Sequence, residues 1–125
     1  MSHWRMLVAV LCCALLAACD LDAPKLASAN VSIYQAGQSL HSWQLSRAQL
    51  ASLEGWLVDH RTGWNPDMAT YVPRVLITGT GVDGSTWRIH ILGTLVVMAG
   101  SRTQLKQSFA RAEIDSLVTA IGASQ

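Results

Sequence analysis

His41, His60 and His90 are the residues best suited by type to acid–base or metal chemistry beyond residue 19 of this 125-residue chain. A neutral imidazole can hold zinc, or move a proton near neutral pH. Their spacing does not support a shared site. His41 and His90 fall on predicted strands and His60 on a predicted helix end, and none has a metal-ligand type two or four residues away. Asp59 precedes His60, but neighbours on a helix diverge by about 100°. No pair of carboxylates falls near a predicted cleft, so acid–base hydrolysis has no visible machinery. Gly79-Thr80-Gly81-Val82-Asp83-Gly84 matches a G-x-G-x-x-G string. A dinucleotide loop must lead into a helix whose first turn meets the pyrophosphate, whereas Ser85 to Ile91 alternates as a strand. A His-dependent hydrolase is therefore the weakest reading. No catalytic residue, metal or cofactor is assigned.

Aromatic and cationic residues offer a different chemistry, that of an interface. Trp43 and Trp87 alternate with aliphatic residues on strands, and Trp56 flanks a helical apolar stripe, so all three read as core. Trp64 stands apart, just past a helix end in Arg61-Thr62-Gly63-Trp64-Asn65-Pro66, on the longest irregular connection of the chain. Tyr71 and Arg74 follow on the same connection. Trp, Tyr and Arg anchor interfaces more than other residues do, and long irregular connections often carry function. Arg61, Trp64, Tyr71 and Arg74 are thus the candidate binding surface. The competing reading makes Trp64 a lid on the open end of a small core.

Positioning that connection falls to a run of short elements. Val31–Gln35 and Leu40–Leu45 alternate around Ala36-Gly37 and predict a hairpin. Ser46-Arg47-Ala48-Gln49 fits a capping box, and Leu50, Leu53 and Leu57 continue at helical spacing to His60, where Gly63 can close the helix. Val75–Thr80 and Thr86–Leu92 flank Asp83-Gly84, a strong hairpin turn. Leu95–Ala99 is apolar on both faces and predicts a central strand. Thr103–Phe109 is more polar and predicts an edge. Ala110–Ile121 is a second helix. The expected fold is α+β: an antiparallel sheet of five to six strands with two helices packed on one face. Leu45–Leu53 and Phe109–Leu117 share Arg, Ala, Ser and Leu at matching positions. Common helix-start chemistry explains this echo, and a repeated hairpin–helix unit is the second reading.

The N-terminus specifies an address. His3 and Arg5 precede an unbroken apolar run from Met6 to Ala18, too short to cross a bilayer and of signal-peptide length. It ends in Leu16-Ala17-Ala18-Cys19, which resembles the lipobox of bacterial lipoproteins. That resemblance implies cleavage before Cys19, acyl chains (palmitate among them) on that cysteine, and a domain facing the periplasm. Asp20 resembles the inner-membrane retention signal of enteric lipoproteins. Residues 1–18 are then a signal peptide, 19–30 the lipidated cysteine and a tether, and 31–125 one globular domain. Cys12 and Cys13 lie in the discarded run, so no cysteine remains for a disulfide or a nucleophile. Without Arg5, eight Lys and Arg balance eight Asp and Glu. That near-neutral balance disfavours nucleic acid as a partner and leaves membrane attachment to the acyl chains.

The expected function is a non-enzymatic, membrane-anchored envelope lipoprotein that binds a protein: an accessory subunit of an envelope complex, or an inhibitor or immunity protein. A glycan-binding module, with Trp64 and Tyr71 stacking on peptidoglycan, is the alternative. Cys19→Ser should leave an uncut precursor that carries no acyl chain. Cleavage at the same bond, read by N-terminal sequencing, would overturn the lipobox reading.

Overall fold

The computed structural model describes residues 20–123; the expected signal peptide and Cys19 lie outside them. In chain order the elements are β1 (Leu26–Gln35), β2 (Gln38–Gln44), α1 (Arg47–Asp59), β3 (Asn65–Pro66) and β4 (Val75–Gly81). There follow β5 (Thr86–Leu92), β6 (Leu95–Ala99), β7 (Gln104–Ser108) and α2 (Arg111–Ala120). The strands form one antiparallel sheet in the order β2-β1-β4-β5-β6-β7-β3. The class is α+β, as expected, but the described residues hold seven strands rather than five to six. The addition is β3, where Asn65 pairs with Lys106 and Pro66 with Leu105. Proline lacks the N–H that an inner strand must donate, so it fits this short edge. β7, expected at the edge, is second from it.

Local chemistry sets the elements. The β1–β2 hairpin turns on Ala36 (φ 50°) and Gly37 (φ 79°), both left-handed, which matches the twist of the flanking strands. At the start of α1 the Ser46 hydroxyl accepts the Gln49 N–H at 3.1 Å, and the Gln49 side chain accepts the Ser46 N–H at 2.9 Å. At α2 there is no hydroxyl, but Glu113 accepts the Ala110 N–H at 3.3 Å. A buried residue, Leu45 or Phe109, precedes each cap. Each hairpin–helix unit thus begins its helix with the same backward bond. The hairpins β1–β2 and β6–β7 also flank the β4–β5 pair on either side.

Both helices cover one face of the sheet. Leu53, Trp56 and Leu57 of α1, with Ile114 and Leu117 of α2, share a core with Val31, Ile77, Ile89, Ile91, Val96 and Met98. These strand residues pair across one face: Val31 with Ile77, Ile77 with Ile89, Ile89 with Met98, and Ile91 with Val96. Three indoles tie the layers together. Trp43 of β2 donates to the Ile121 carbonyl at 3.0 Å, Trp56 to that of Glu113 at 3.1 Å, and Trp64 to that of His60 at 2.6 Å.

Residues 21–30 are not a tether. Leu21, Leu26 and Ala29 are buried in the main core. The Leu21 N–H donates to the Arg61 carbonyl at 2.6 Å, and the Leu26 N–H to the Glu54 carboxylate at 2.7 Å. β1 starts at Leu26 rather than Val31, and an irregularity in its pairing with β4 between Leu26 and Ser28 hides the strand period. Leu26 also lies against Gly79, where an added Cβ would meet its methyl at 3.0 Å. Leu26→Ala should therefore cost about 2–5 kcal/mol in urea unfolding, as truncation of a buried leucine does. A tether residue would cost nothing measurable.

Candidate functional site

After α1 the chain leaves the helix layer, passes the sheet edge as β3, and must return to β4 in the middle of the sheet. Residues 67–74 make that return across β7, β6 and β5, on the face opposite the helices. Register fixes the side. Lys106, Val97, His90 and Leu76 pair in one row across the strands, pointing away from the core residues beside them. Val97 is fully buried yet stands outside the main core, because the crossing segment covers it from the far side.

A carboxylate holds the segment down. Asp67 donates its backbone N–H to the Gln104 carbonyl at 2.9 Å. Its side chain accepts the Tyr71 hydroxyl at 2.6 Å, the Gln104 amide at 3.1 Å and the Ala69 N–H at 3.3 Å, and lies 3.6 Å from the Lys106 ammonium. Gln104 also donates to the Ala69 carbonyl at 2.7 Å. At the other end the Tyr34 N–H donates to the Arg74 carbonyl at 2.7 Å. The Tyr71 hydroxyl bond, helped by Ala69, Gln104 and Lys106, outweighs partial burial and holds the Asp67 carboxyl down to about 2. The same bond raises the Tyr71 phenol. With its oxygens taken, Asp67 serves the segment rather than a substrate. Beneath it the His90 ring lies 6.5 Å from the Tyr71 ring, with Nδ1 buried and unpartnered. Burial, then the Arg88 charge, lowers its pKa.

What the pinned segment presents outward is apolar and cationic. Met68 is 98% exposed and Val72 72%. Arg74 is exposed at the end of the segment, Arg88 on the strand row beside it, and Arg102 on the β6–β7 turn. Open depressions flank the segment: one of about 310 Å³ lined by Met68, Ala99 and Arg102, the other of about 400 Å³ lined by Tyr34, Leu40 and Arg74.

The four residues singled out in the sequence do not form one surface. Tyr71 and Arg74 lie on the crossing segment, Tyr71 half-buried and turned to Asp67. Arg61 is exposed just past α1, on the helix side. Trp64 is 0% exposed, edge-on to Phe109 at 5.6 Å. Its placement among the binding residues is corrected: the ring closes the core and has no face to offer. The three histidines also lie apart. His41 is on the exposed strand β2, His60 stacks on Trp56 at 4.1 Å, and His90 is on the far face. Asp67, Gln104 and Lys106 escaped sequence reasoning because the carboxylate and its amide partner are 37 residues apart. Met68 and Val72 left a faint trace, two lone aliphatics four residues apart in a polar stretch.

Lowering the Asp67 pKa means the folded state binds its carboxylate more tightly than its acid. That stability is present above the ordinary value near 3.8 and is lost as pH falls toward about 2. The urea midpoint of the parent should exceed that of Asp67→Asn at pH 5, and the gap should shrink as pH falls through about 2. A gap independent of pH would show that the ionised carboxylate does not hold the segment. No protein-family model, characterised protein or solved structure matches this chain.

Proposed function

We propose that this chain is a non-enzymatic envelope lipoprotein, anchored through Cys19 and facing the periplasm, whose domain binds another protein. An accessory subunit of an envelope complex and an inhibitor or immunity protein both fit. The observation that carries the reading is the crossing segment. Met68 and Val72 are held in water on an irregular stretch whose backbone is pinned at both ends. Apolar side chains that are exposed and already ordered can be buried by a partner with little further ordering cost. The flanking depressions are open and lack the enclosed apolar shape of a small-molecule site. Stacking on a glycan needs an exposed ring, and the two candidate rings are the buried Trp64 and the half-buried Tyr71. Among the described residues no helix is long and apolar enough to cross a membrane.

Site-specific photocrosslinking in intact cells tests the surface. A photoreactive residue at Met68 or Val72 should give one discrete protein adduct. The same residue at Val58 or Val82, aliphatic positions exposed elsewhere, should not. Adducts only from Val58 or Val82 would overturn the assignment. Loss of the Met68 adduct in saturating soluble peptidoglycan fragments, with no protein mass attached, would favour the glycan reading.

A further inference from the structure

If Cys19 carries the lipid, the fold leaves almost no chain between the bilayer and the domain. Leu21 is 5% exposed, belongs to the main core, and gives its N–H to the Arg61 carbonyl at 2.6 Å. Two residue steps separate it from Cys19, a reach of at most about 7 Å. A lipoprotein on a flexible tether can point any face at the membrane. Here the exit point is fixed beside the Arg61–Thr62 peptide, at the C-terminal end of α1.

We propose that the lipid anchor seats the domain directly on the headgroup layer, with the α1 end around Arg61 and Thr62 against the bilayer and the crossing segment turned away from it. This rests on the lipoprotein reading. The acyl chains supply the attachment, and the short reach supplies the orientation. Arg61 and Thr62 are both exposed, and Arg61 suits phosphate oxygens, whose geometry its guanidinium matches. Arg61 is then a headgroup contact and not part of the partner surface. Leu21 leaves from the helix-side core, whereas Met68 and Val72 ride on the opposite face of the sheet. Partner binding and membrane seating therefore do not compete for surface.

The test uses the full chain, processed in a bacterium and reconstituted into phosphatidylethanolamine–phosphatidylglycerol vesicles. With Cys19 acylated, an added cysteine is the only free thiol of the mature chain, so Thr62→Cys and Thr78→Cys can each carry one fluorophore. Thr78 is exposed on the far face of β4, in register with Arg88. Lipids bearing a headgroup nitroxide should quench the Thr62 label several-fold more than the Thr78 label. A flexible insert of about ten Gly and Ser residues between Asp20 and Leu21, with an r.m.s. span of about 17 Å, should abolish the difference while leaving acylation intact. Mass spectrometry of the N-terminal peptide separates the two claims. An unacylated Cys19 overturns the lipoprotein reading and this proposal with it. Acylated protein whose two labels are quenched equally, or whose Thr78 label is quenched more, overturns the orientation alone.

Discussion

An indole packed on a core must place its N–H, and the packing of this domain follows from where three of them do so. Trp43, Trp56 and Trp64 reach out from β2, from α1 and from the loop beyond it. Each ends on a backbone carbonyl in or beside a helix. An unsatisfied buried donor costs about 1–3 kcal/mol, so each contact fixes a position as well as filling space. Trp43 ties the first hairpin to the last turn of α2, and Trp56 ties α1 to its first turn. Trp64 folds the chain after α1 back over its own end, which Gly63 permits at φ 86°. Phe109 stands between Trp56 and Trp64, edge-on to both. Helix position, loop direction and the start of α2 are thus settled by one aromatic group.

Features with local causes were legible in the sequence. The two helices, the Ser46 box, the Asp83-Gly84 turn and the doubly apolar β6 each follow from residues within a few positions of one another. The missing parts depend on distant partners. Leu21, Leu26 and Ala29 are sparse among polar neighbours, and the irregularity in β1 breaks their period, so a strand passed for a tether. β3 is two residues long and contains Pro66, and only β7 makes it a strand. Trp64 has the residue type of an interface anchor, and the choice for the core lid is made by Phe109, far along the chain. The length of the irregular connection is legible from its composition. Its anchoring carboxylate was invisible without the fold.

A formal charge of +1 conceals an uneven distribution. Glu54, Asp59, Glu113 and Asp115 outnumber Arg47 and Arg111 on the helices, whereas Arg74, Arg88 and Arg102 are exposed on or beside the opposite face of the sheet, whose Asp67 is already occupied. Composition alone shows scattered charges, and folding gathers a cationic excess on the far face. The face bearing Met68 and Val72 therefore has a positive rim, which favours complementary partners during encounter more than it adds to final affinity.

The crossing segment also divides the molecule's stability. Above the sheet lies the main core, closed by helices and indoles. Below it, Val97, His90 and Leu76 are covered by eight residues without regular structure, held chiefly by Asp67 and its partners. Local openings in proteins follow such seams. Lifting the segment wets one side of β6 and leaves the helix side dry, so amide exchange along residues 67–74 should run through a low-energy opening that the central strands do not share. The domain then has a hinged cover on a rigid plate, and the free energy of that hinge, rather than global unfolding, sets how often the buried face of β6 meets water.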